Sequence, residues 1–120
     1  MDRRTLGARG EEAAVKLLRR RGYTILCRNY RCPLGELDIV AREGETIVFV
    51  EVKTRSTEEY GDPLEAVGWG KQRKLARLAQ HFLLTHRLHG SPCRFDVVSV
   101  VIGTDGRVHS IDHIPDAFGV

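Results

Sequence analysis

The sequence has little of what would place it in several common protein classes. It contains three cysteines, Cys27, Cys32 and Cys93, without the paired short spacing of a disulfide framework or a zinc knuckle. Its five histidines show no HExxH or comparable ligand spacing. No apolar run is long enough to cross a bilayer, and the first residues, MDRRTLGARGEE, lack the apolar segment of a secretory signal. These absences predict a cytoplasmic protein with reduced cysteines.

Length and composition predict a single domain that spans residues 1–120. A chain of 120 residues is long enough to bury one core and too short for two. The net charge is only +3, which is a weak argument for a polyanionic partner. The first 31 residues, however, carry nine Lys or Arg against three acidic residues. This basic segment slightly favours phosphate binding over a merely solvated surface.

Hydrophobic periodicity and turn signals predict two long helices and five strands. The helices run from Thr5 to Arg21, where Gly22 supplies a stop signal, and from Lys71 to the region of Leu88 to Gly90. A short helix is predicted to start at Asp62 and to break at Gly68 and Gly70. The predicted strands are Tyr23 to Tyr30, Glu36 to Arg42, Thr46 to Thr54, Arg94 to Ile102 and Val108 to Ile114.

The order of these elements predicts an α/β sandwich. A strand that leaves through a long helix and returns to the sheet does so by a right-handed crossover. The strand that begins at Arg94 is therefore expected to lie parallel to one of the first three strands. The result is a mixed β-sheet of about five strands that is flanked by helices.

Four charged residues interrupt two apolar strands that are joined by a tight turn: Glu36, Asp38, Glu51 and Lys53. Side chains alternate across a strand, so the two acids of the first strand share a face, as do Glu51 and Lys53. A loop centred on Glu43-Gly44 sets Glu36 opposite Glu51 and brings all four groups to one side. A slip by one residue would separate them.

Three carboxylates at this spacing repel one another and are costly to bury, so a divalent cation among them would compensate both effects. Oxygen ligands favour magnesium, manganese or calcium over zinc. The alternative is a cross-strand ion pair between Glu36 and Lys53, with the other acids in water. The run IVFVEVK favours a functional site, because charges that conflict with an apolar strand pattern usually mark one.

One pattern resembles the signature of the PD-(D/E)XK nuclease superfamily. In it, Asp38 is followed, after twelve intervening residues, by Glu51-Val52-Lys53 on an apolar strand. Leu37 stands where that signature has its proline. A closer resemblance, over nearly the whole chain, is to the YraN-like family of uncharacterised bacterial proteins, which is similar to Holliday-junction resolvases. It is carried by Gly10-Glu11, Arg28-Asn29-Tyr30, Gly35-Glu36-Leu37-Asp38 and Val48-Phe49-Val50-Glu51-Val52-Lys53-Thr54-Arg55.

The resemblance implies a restriction-endonuclease-like fold and a site for Mg²⁺ or Mn²⁺. Asp38 and Glu51 would hold the ion with help from the Val52 carbonyl, and Glu11 would complete its ligands from the first helix. Hard oxygen ligands of this kind suit a metal that polarises a phosphate and acidifies water.

The resemblance also implies roles for Lys53 and Glu36. Lys53 would position or activate the attacking water and offset charge at the scissile phosphate. Glu36 would be an additional ligand or a partner of the ligands; its alternative is an ion pair with an arginine of the basic helix.

The expected activity is a Mg²⁺-dependent deoxyribonuclease that cuts branched or structured DNA, as a homodimer because a junction presents two equivalent strands. The alternative is a DNA-binding module of the same fold that does not cut. Tyr60 and Trp69 are candidates for stacking on a base or sugar. The candidate phosphate contacts, for which a solvated surface is the alternative, are Arg9, Arg55, Lys71, Arg73 and Lys74.

Overall fold

The computed structural model describes residues 1–58 and 67–119, which contain two helices and five strands. In chain order they are α1 (Arg3–Arg20), β1 (Thr24–Cys32), β2 (Gly35–Glu43), β3 (Thr46–Ser56), α2 (Trp69–Thr85), β4 (Cys93–Ile102) and β5 (Val108–Phe118). The predicted short helix at Asp62 and the candidate stacking residue Tyr60 lie outside the described residues. Neither described helix is long and apolar enough to cross a membrane.

The five strands form one sheet in the order β1-β2-β3-β4-β5. β3 and β4 are parallel, and the other neighbours are antiparallel. The predicted parallel placement of the strand at Arg94 is therefore confirmed, with β3 as its partner. One buried cluster packs α1 against one face of the sheet, and a second packs α2 against the other face. The predicted α/β sandwich is confirmed.

Element boundaries differ from the predicted ones for local reasons. α1 starts two residues early because Asp2 caps it, accepting a hydrogen bond from the Thr5 amide at 2.7 Å. α2 ends at Thr85 and includes Gly70, which was expected to break a helix. β5 runs through Pro115, since an edge strand has one side without a ladder and tolerates a residue that has no N–H.

The hairpin between β2 and β3 has a different loop from the predicted one. Its closing pair is Glu43 with Thr46, so the loop is Gly44-Glu45 and not Glu43-Gly44. Gly44 has φ +60°, and glycine at the first central position is what a two-residue type II′ turn requires. The pairing is thereby shifted by two positions. The predicted pairing of Glu36 opposite Glu51 is wrong. In the observed register the position opposite Glu51 is that of Asp38, one residue beyond the last ladder pair, Ile39 and Val50.

A buried polar network around Asp96, which is fully buried, ties β4 and β5 to Tyr23, the residue before β1. Its carboxylate accepts four hydrogen bonds, from Tyr23 Oη (3.0 Å), Arg94 Nε (3.0 Å), His113 Nε2 (2.7 Å) and the Asp116 amide (2.9 Å). Arg21 Nη1 lies 2.7 Å from His113 Nδ1. A guanidinium only donates, so Nδ1 accepts and the proton of this imidazole is on Nε2, directed at Asp96.

Gly10 sets the close approach of α1 to the sheet. A Cβ at this position would overlap the Thr54 side chain of β3, whereas a Cβ at Gly7 would meet nothing within 4 Å. Both residues lie in α1. Glu11 follows Gly10 directly, so the same close approach brings that carboxylate to β3.

Gly10→Ala is therefore expected to lower the free energy of unfolding by about 1–3 kcal/mol, because the packed interior must shift to admit a methyl group. Gly7→Ala is the matched control and should instead stabilise the protein by about 0.5–1 kcal/mol, through helix propensity. Urea denaturation of both variants checks the pair. Equal effects of the two substitutions would contradict the packing role of Gly10.

Candidate active site

The candidate site lies where β2 and β3 separate. Their ladder ends at the pair Ile39 and Val50. Beyond it, the Val52 amide donates to Asp38 Oδ2 at 2.8 Å, so a side-chain carboxylate takes the place of a strand carbonyl. Strand alternation is also broken here, since Leu37 and Val40 both pack on the α2 face. The opening between the strands places the Asp38 carboxyl between the two faces of the sheet.

The structure brings Asp38 and Glu51 together. Their carboxyls lie close enough for the charge of Glu51 to act directly on Asp38, and Glu51 is 8% exposed. Burial, followed by the negative charge of Glu51, raises the pKa of Asp38 to about 7, against the lowering effect of the Val52 amide. Two carboxyls so close and so poorly hydrated are destabilising when both are ionised, and a cation between them relieves the repulsion.

Two lysines surround this carboxyl pair. Lys71, from the first turn of α2, forms an ion pair with Glu51 Oε1, and the charge of Lys53 lies close to that of Lys71. Burial and the neighbouring charge of Lys71 lower the pKa of Lys53. Burial acts to lower the pKa of Lys71 as well, but the hydrogen bond to Glu51 and the negative charges of Glu51 and Asp38 together outweigh this effect and raise it. Lys71 was predicted as a phosphate contact, and its place on Glu51 was missed.

Glu11 reaches the same site from α1. It lines a cleft of about 310 Å³ whose wall consists of Arg3, Leu6, Gly7, Glu11, Asp38, Val52, Lys53 and Thr54. Glu11 Oε1 accepts hydrogen bonds from Arg28 Nε and Asn29 Nδ2, both at 3.0 Å. Asn29 has φ +53°, a conformation that asparagine tolerates better than most residues. Sequence reasoning missed the role of Arg28 and Asn29 in orienting Glu11, although both belong to the segment Arg28-Asn29-Tyr30.

The expectation that four charged residues share one face is not met. Asp38 and Lys53 line the cleft beside α1, whereas Glu51 packs among apolar residues of the α2 side, such as Leu37 and Leu75. Glu36 lies 3.3 Å from Arg31 of β1, with both side chains exposed. The alternative of an ion pair with an arginine is therefore what the structure shows, although the partner is in β1 and not in the basic helix.

The candidate phosphate contacts are spread over several environments. Arg73 and Lys74 are exposed on α2, and Arg55 is half-buried in β3. Arg9 Nη1 donates to the Gly106 carbonyl at 2.8 Å and so holds the turn between β4 and β5. Trp69, the first residue of α2, is 69% exposed.

The carboxyl groups present suit a magnesium-type ion. In residues 1–58 and 67–119, no group of three or more His, Cys, Asp or Glu side chains is arranged to hold a metal. Mg²⁺ does not require such a group, since it is usually bound by one or two carboxylates and keeps several waters. Asp38 and Glu51 supply that pair, and Glu11 lines the same cleft.

The fold and the site together define an α/β sandwich with a mixed five-stranded sheet, and with a carboxyl pair and two lysines where its sheet opens. The family model of the uncharacterised protein family UPF0102 matches residues 10–100, and the chain belongs to this family. The resemblance to the YraN-like family is thereby confirmed.

Relatives in this family match almost end to end. A UPF0102 protein of Moorella thermoacetica is 52% identical over 98% of this chain and 98% of its own length. One from Caldicellulosiruptor saccharolyticus is 49% identical over 98% of this chain and 100% of its own length. One from Geobacter metallireducens is 49% identical over 96% of this chain and 93% of its own length. Their shared description assigns no activity.

Proposed function

We propose that this protein is a metal-dependent endonuclease that hydrolyses phosphodiester bonds in branched or otherwise structured DNA. The observation that carries the proposal is the proximity of Asp38, which lines the cleft with Lys53, to the buried Glu51, which is paired with Lys71. Clustered carboxyls with perturbed pKa values are typical of catalytic sites. The choice of structured DNA rests on the resemblance to junction resolvases.

Asp38 and Glu51 are the proposed ligands of Mg²⁺ or Mn²⁺, with Glu11 and the Val52 carbonyl completing the set. The bound ion supplies a Lewis acid for the phosphate and lowers the pKa of a coordinated water. Arg28 and Asn29 hold Glu11 Oε1, so the orientation of this carboxylate is set before any ion binds. Such preorganisation by surrounding hydrogen bonds typically improves metal affinity.

Lys53 is proposed to hydrogen-bond the attacking water and to place it in line with the phosphorus atom. Its side chain lines the cleft that also contains Asp38, so its amine lies within reach of a phosphate bound there. An ammonium at this position also offsets the negative charge that develops on the phosphate oxygens. Arg73 and Lys74, both exposed on α2, are proposed contacts for the flanking phosphates.

A panel of labelled duplex, flap, fork and four-way-junction DNAs tests the proposal, with Mg²⁺ or Mn²⁺ present. The wild type is expected to cut at least one branched substrate. Glu51→Gln should reduce the rate by about two to three orders of magnitude, because the metal contributes several kcal/mol to the transition state. Glu45→Gln, an exposed acid of the hairpin loop, is the control and should cut normally.

Two results would contradict the proposal. Undiminished cleavage by Glu51→Gln would remove the metal site from the mechanism. Salt-sensitive DNA binding by the wild type, without nicking of any substrate in either metal, would favour the alternative of a non-catalytic DNA-binding module. A homodimer is proposed for the active form, and sedimentation with and without junction DNA checks its stoichiometry.

A further inference from the structure

Lys71 and a divalent cation would bind the same carboxylate, that of Glu51. Lys71 Nζ forms an ion pair with Glu51 Oε1. The Glu51 side chain is only 9% exposed, so its carboxylate has little access to water. Lys71 belongs to α2, whereas Glu51 belongs to β3, so α2 supplies a cation to a site that β2 and β3 form. The ion pair neutralises a carboxylate that would otherwise be buried without a partner.

An ammonium and a metal ion compete for that carboxylate. Mg²⁺ binds oxygen at about 2.0–2.1 Å and demands near-octahedral geometry, so an ammonium held at the same oxygen crowds its coordination shell. The two cations also repel each other in a site of low dielectric constant. Metal binding at Glu51 Oε1 is therefore expected to displace Lys71.

Lys71 is able to move because of its position and chemistry. Its side chain is 38% exposed, unlike that of Glu51, so the ammonium has a route to solvent. Lysine carries its charge on a flexible stem of four carbons and makes no fixed planar contact of the kind that arginine makes. Lys53 lines the cleft and lies close to Lys71, so the ammonium of Lys71 is near the place where a phosphate would bind.

We infer that Lys71 is a displaceable counter-ion: it occupies Glu51 until a divalent cation binds, and it then transfers to the phosphate of the DNA substrate. The first half of the inference requires only metal binding, and the second half rests on the proposed function. Lys71 thereby opposes metal binding to the free protein and strengthens binding to the metal–DNA complex. By linkage, DNA must raise the affinity for the metal by the same factor by which the metal raises the affinity for DNA.

Calorimetric titration of the full-length protein with Mn²⁺ at pH 8, without DNA, tests the first half. Lys71→Met keeps most of the apolar stem and removes the charge, so Mn²⁺ affinity is expected to rise about tenfold, because a competing cation is gone. Arg77→Met is the matched control, an exposed cation of the same helix that has no proposed role in the site, and should leave Mn²⁺ affinity unchanged. Lys71→Arg preserves the charge and offers a bidentate contact, so it should bind Mn²⁺ no more tightly than the wild type.

The outcomes separate the inference from the proposed function. Unchanged or weaker Mn²⁺ binding by Lys71→Met overturns the displacement of Lys71 and leaves the metal-dependent activity intact. Absence of Mn²⁺ binding in the wild type and in Lys71→Met overturns both. If Lys71→Met does not fold, as judged by circular dichroism, Lys71→Arg decides: tighter Mn²⁺ binding than in the wild type overturns the inference.

A DNA-binding measurement tests the second half. With Ca²⁺ as a non-reactive ion, Lys71→Met is expected to bind junction DNA about tenfold more weakly than the wild type, whereas without a divalent ion the two should bind alike. An equal loss under both conditions overturns transfer to the phosphate, since it would mean that Lys71 contacts DNA whether or not the metal is bound.

Discussion

Asp38→Asn is expected to abolish metal-dependent cleavage and, at the same time, to make the protein more stable above neutral pH. Asparagine preserves an oxygen that accepts the hydrogen bond from the Val52 amide. It cannot ionise, however, so it removes both a proposed metal ligand and a carboxylate that lies against Glu51 in a poorly hydrated site. Function and stability should therefore change in opposite directions, as is common when an active-site charge is removed.

The sign of the stability change follows from the pKa of Asp38. In the folded protein this pKa is raised to about 7 from an ordinary value of 3.8, because of burial and the charge of Glu51. The folded state therefore binds this proton more tightly than the unfolded state does. The contribution of Asp38 to stability is fully present below 3.8 and is lost as the pH rises to about 7. Asp38→Asn avoids that loss.

Urea denaturation in the presence of a chelator checks this prediction. The variant should exceed the wild type by on the order of 2 kcal/mol at pH 8, and the gain should shrink as the pH is lowered toward 4. Glu45→Gln, in the exposed hairpin loop, should show no such trend. A variant that is less stable than the wild type at pH 8 would contradict the electrostatic cost assigned to Asp38.

Asp96→Ala is expected to have the largest effect on stability, about 3–5 kcal/mol, because it leaves buried donors without their acceptor. Three side chains lose this acceptor: Tyr23, His113, and Arg94, which keeps its ion pair with Glu43. The Asp116 amide, 2.9 Å from Asp96 Oδ1, loses its acceptor as well, and Asp116 has φ +48°, which few residues adopt without support. The attachment of β5 to the sheet should weaken first.

The pH dependence of Asp96 has the opposite sign to that of Asp38. Burial acts to raise the pKa of Asp96, but hydrogen bonds led by that of Arg94 outweigh it and hold the pKa below its ordinary value. The unfolded state then binds this proton more tightly, so the stabilisation is present above pH 3.8 and is lost as the pH falls through the lowered pKa. Asp96→Ala should remove this part of the acid sensitivity.

Thermal and urea unfolding of Asp96→Ala, with Asp112→Ala as control, provide the measurement. Asp112 is an exposed aspartate of β5, and its replacement should change stability by no more than about 0.5 kcal/mol. A loss of less than about 1 kcal/mol for Asp96→Ala would mean that water replaces the carboxylate, and it would contradict the network as a main attachment of β5.

The fold was largely predictable because each of its elements carries a local signal. Helix α1 has apolar residues at helical spacing and Gly22 after its end, where φ is +89°. The apolar run from Ile47 to Val52 indicates a buried strand, β3. The crossover through α2 indicates that β4 lies parallel to one of the earlier strands, and that strand is β3. The exact loop of the hairpin was not predictable from its charges, because the positive φ of Gly44 decides which two residues form the turn.

The sequence by itself determined that Asp38 and Glu51 would lie near each other, since the hairpin is local and a register shift by two residues keeps both at its open end. Their contact across the sheet depends on the broken alternation around Asp38, which the sequence pattern does not show. Only the tertiary structure decided which basic side chains contact the carboxyl groups of the site and how those carboxyl groups are oriented. Lys71 is 20 positions from Glu51, and Arg28 is 17 positions from Glu11. No periodicity encodes such distant pairs, because they depend on how α1 and α2 pack against the opening between β2 and β3.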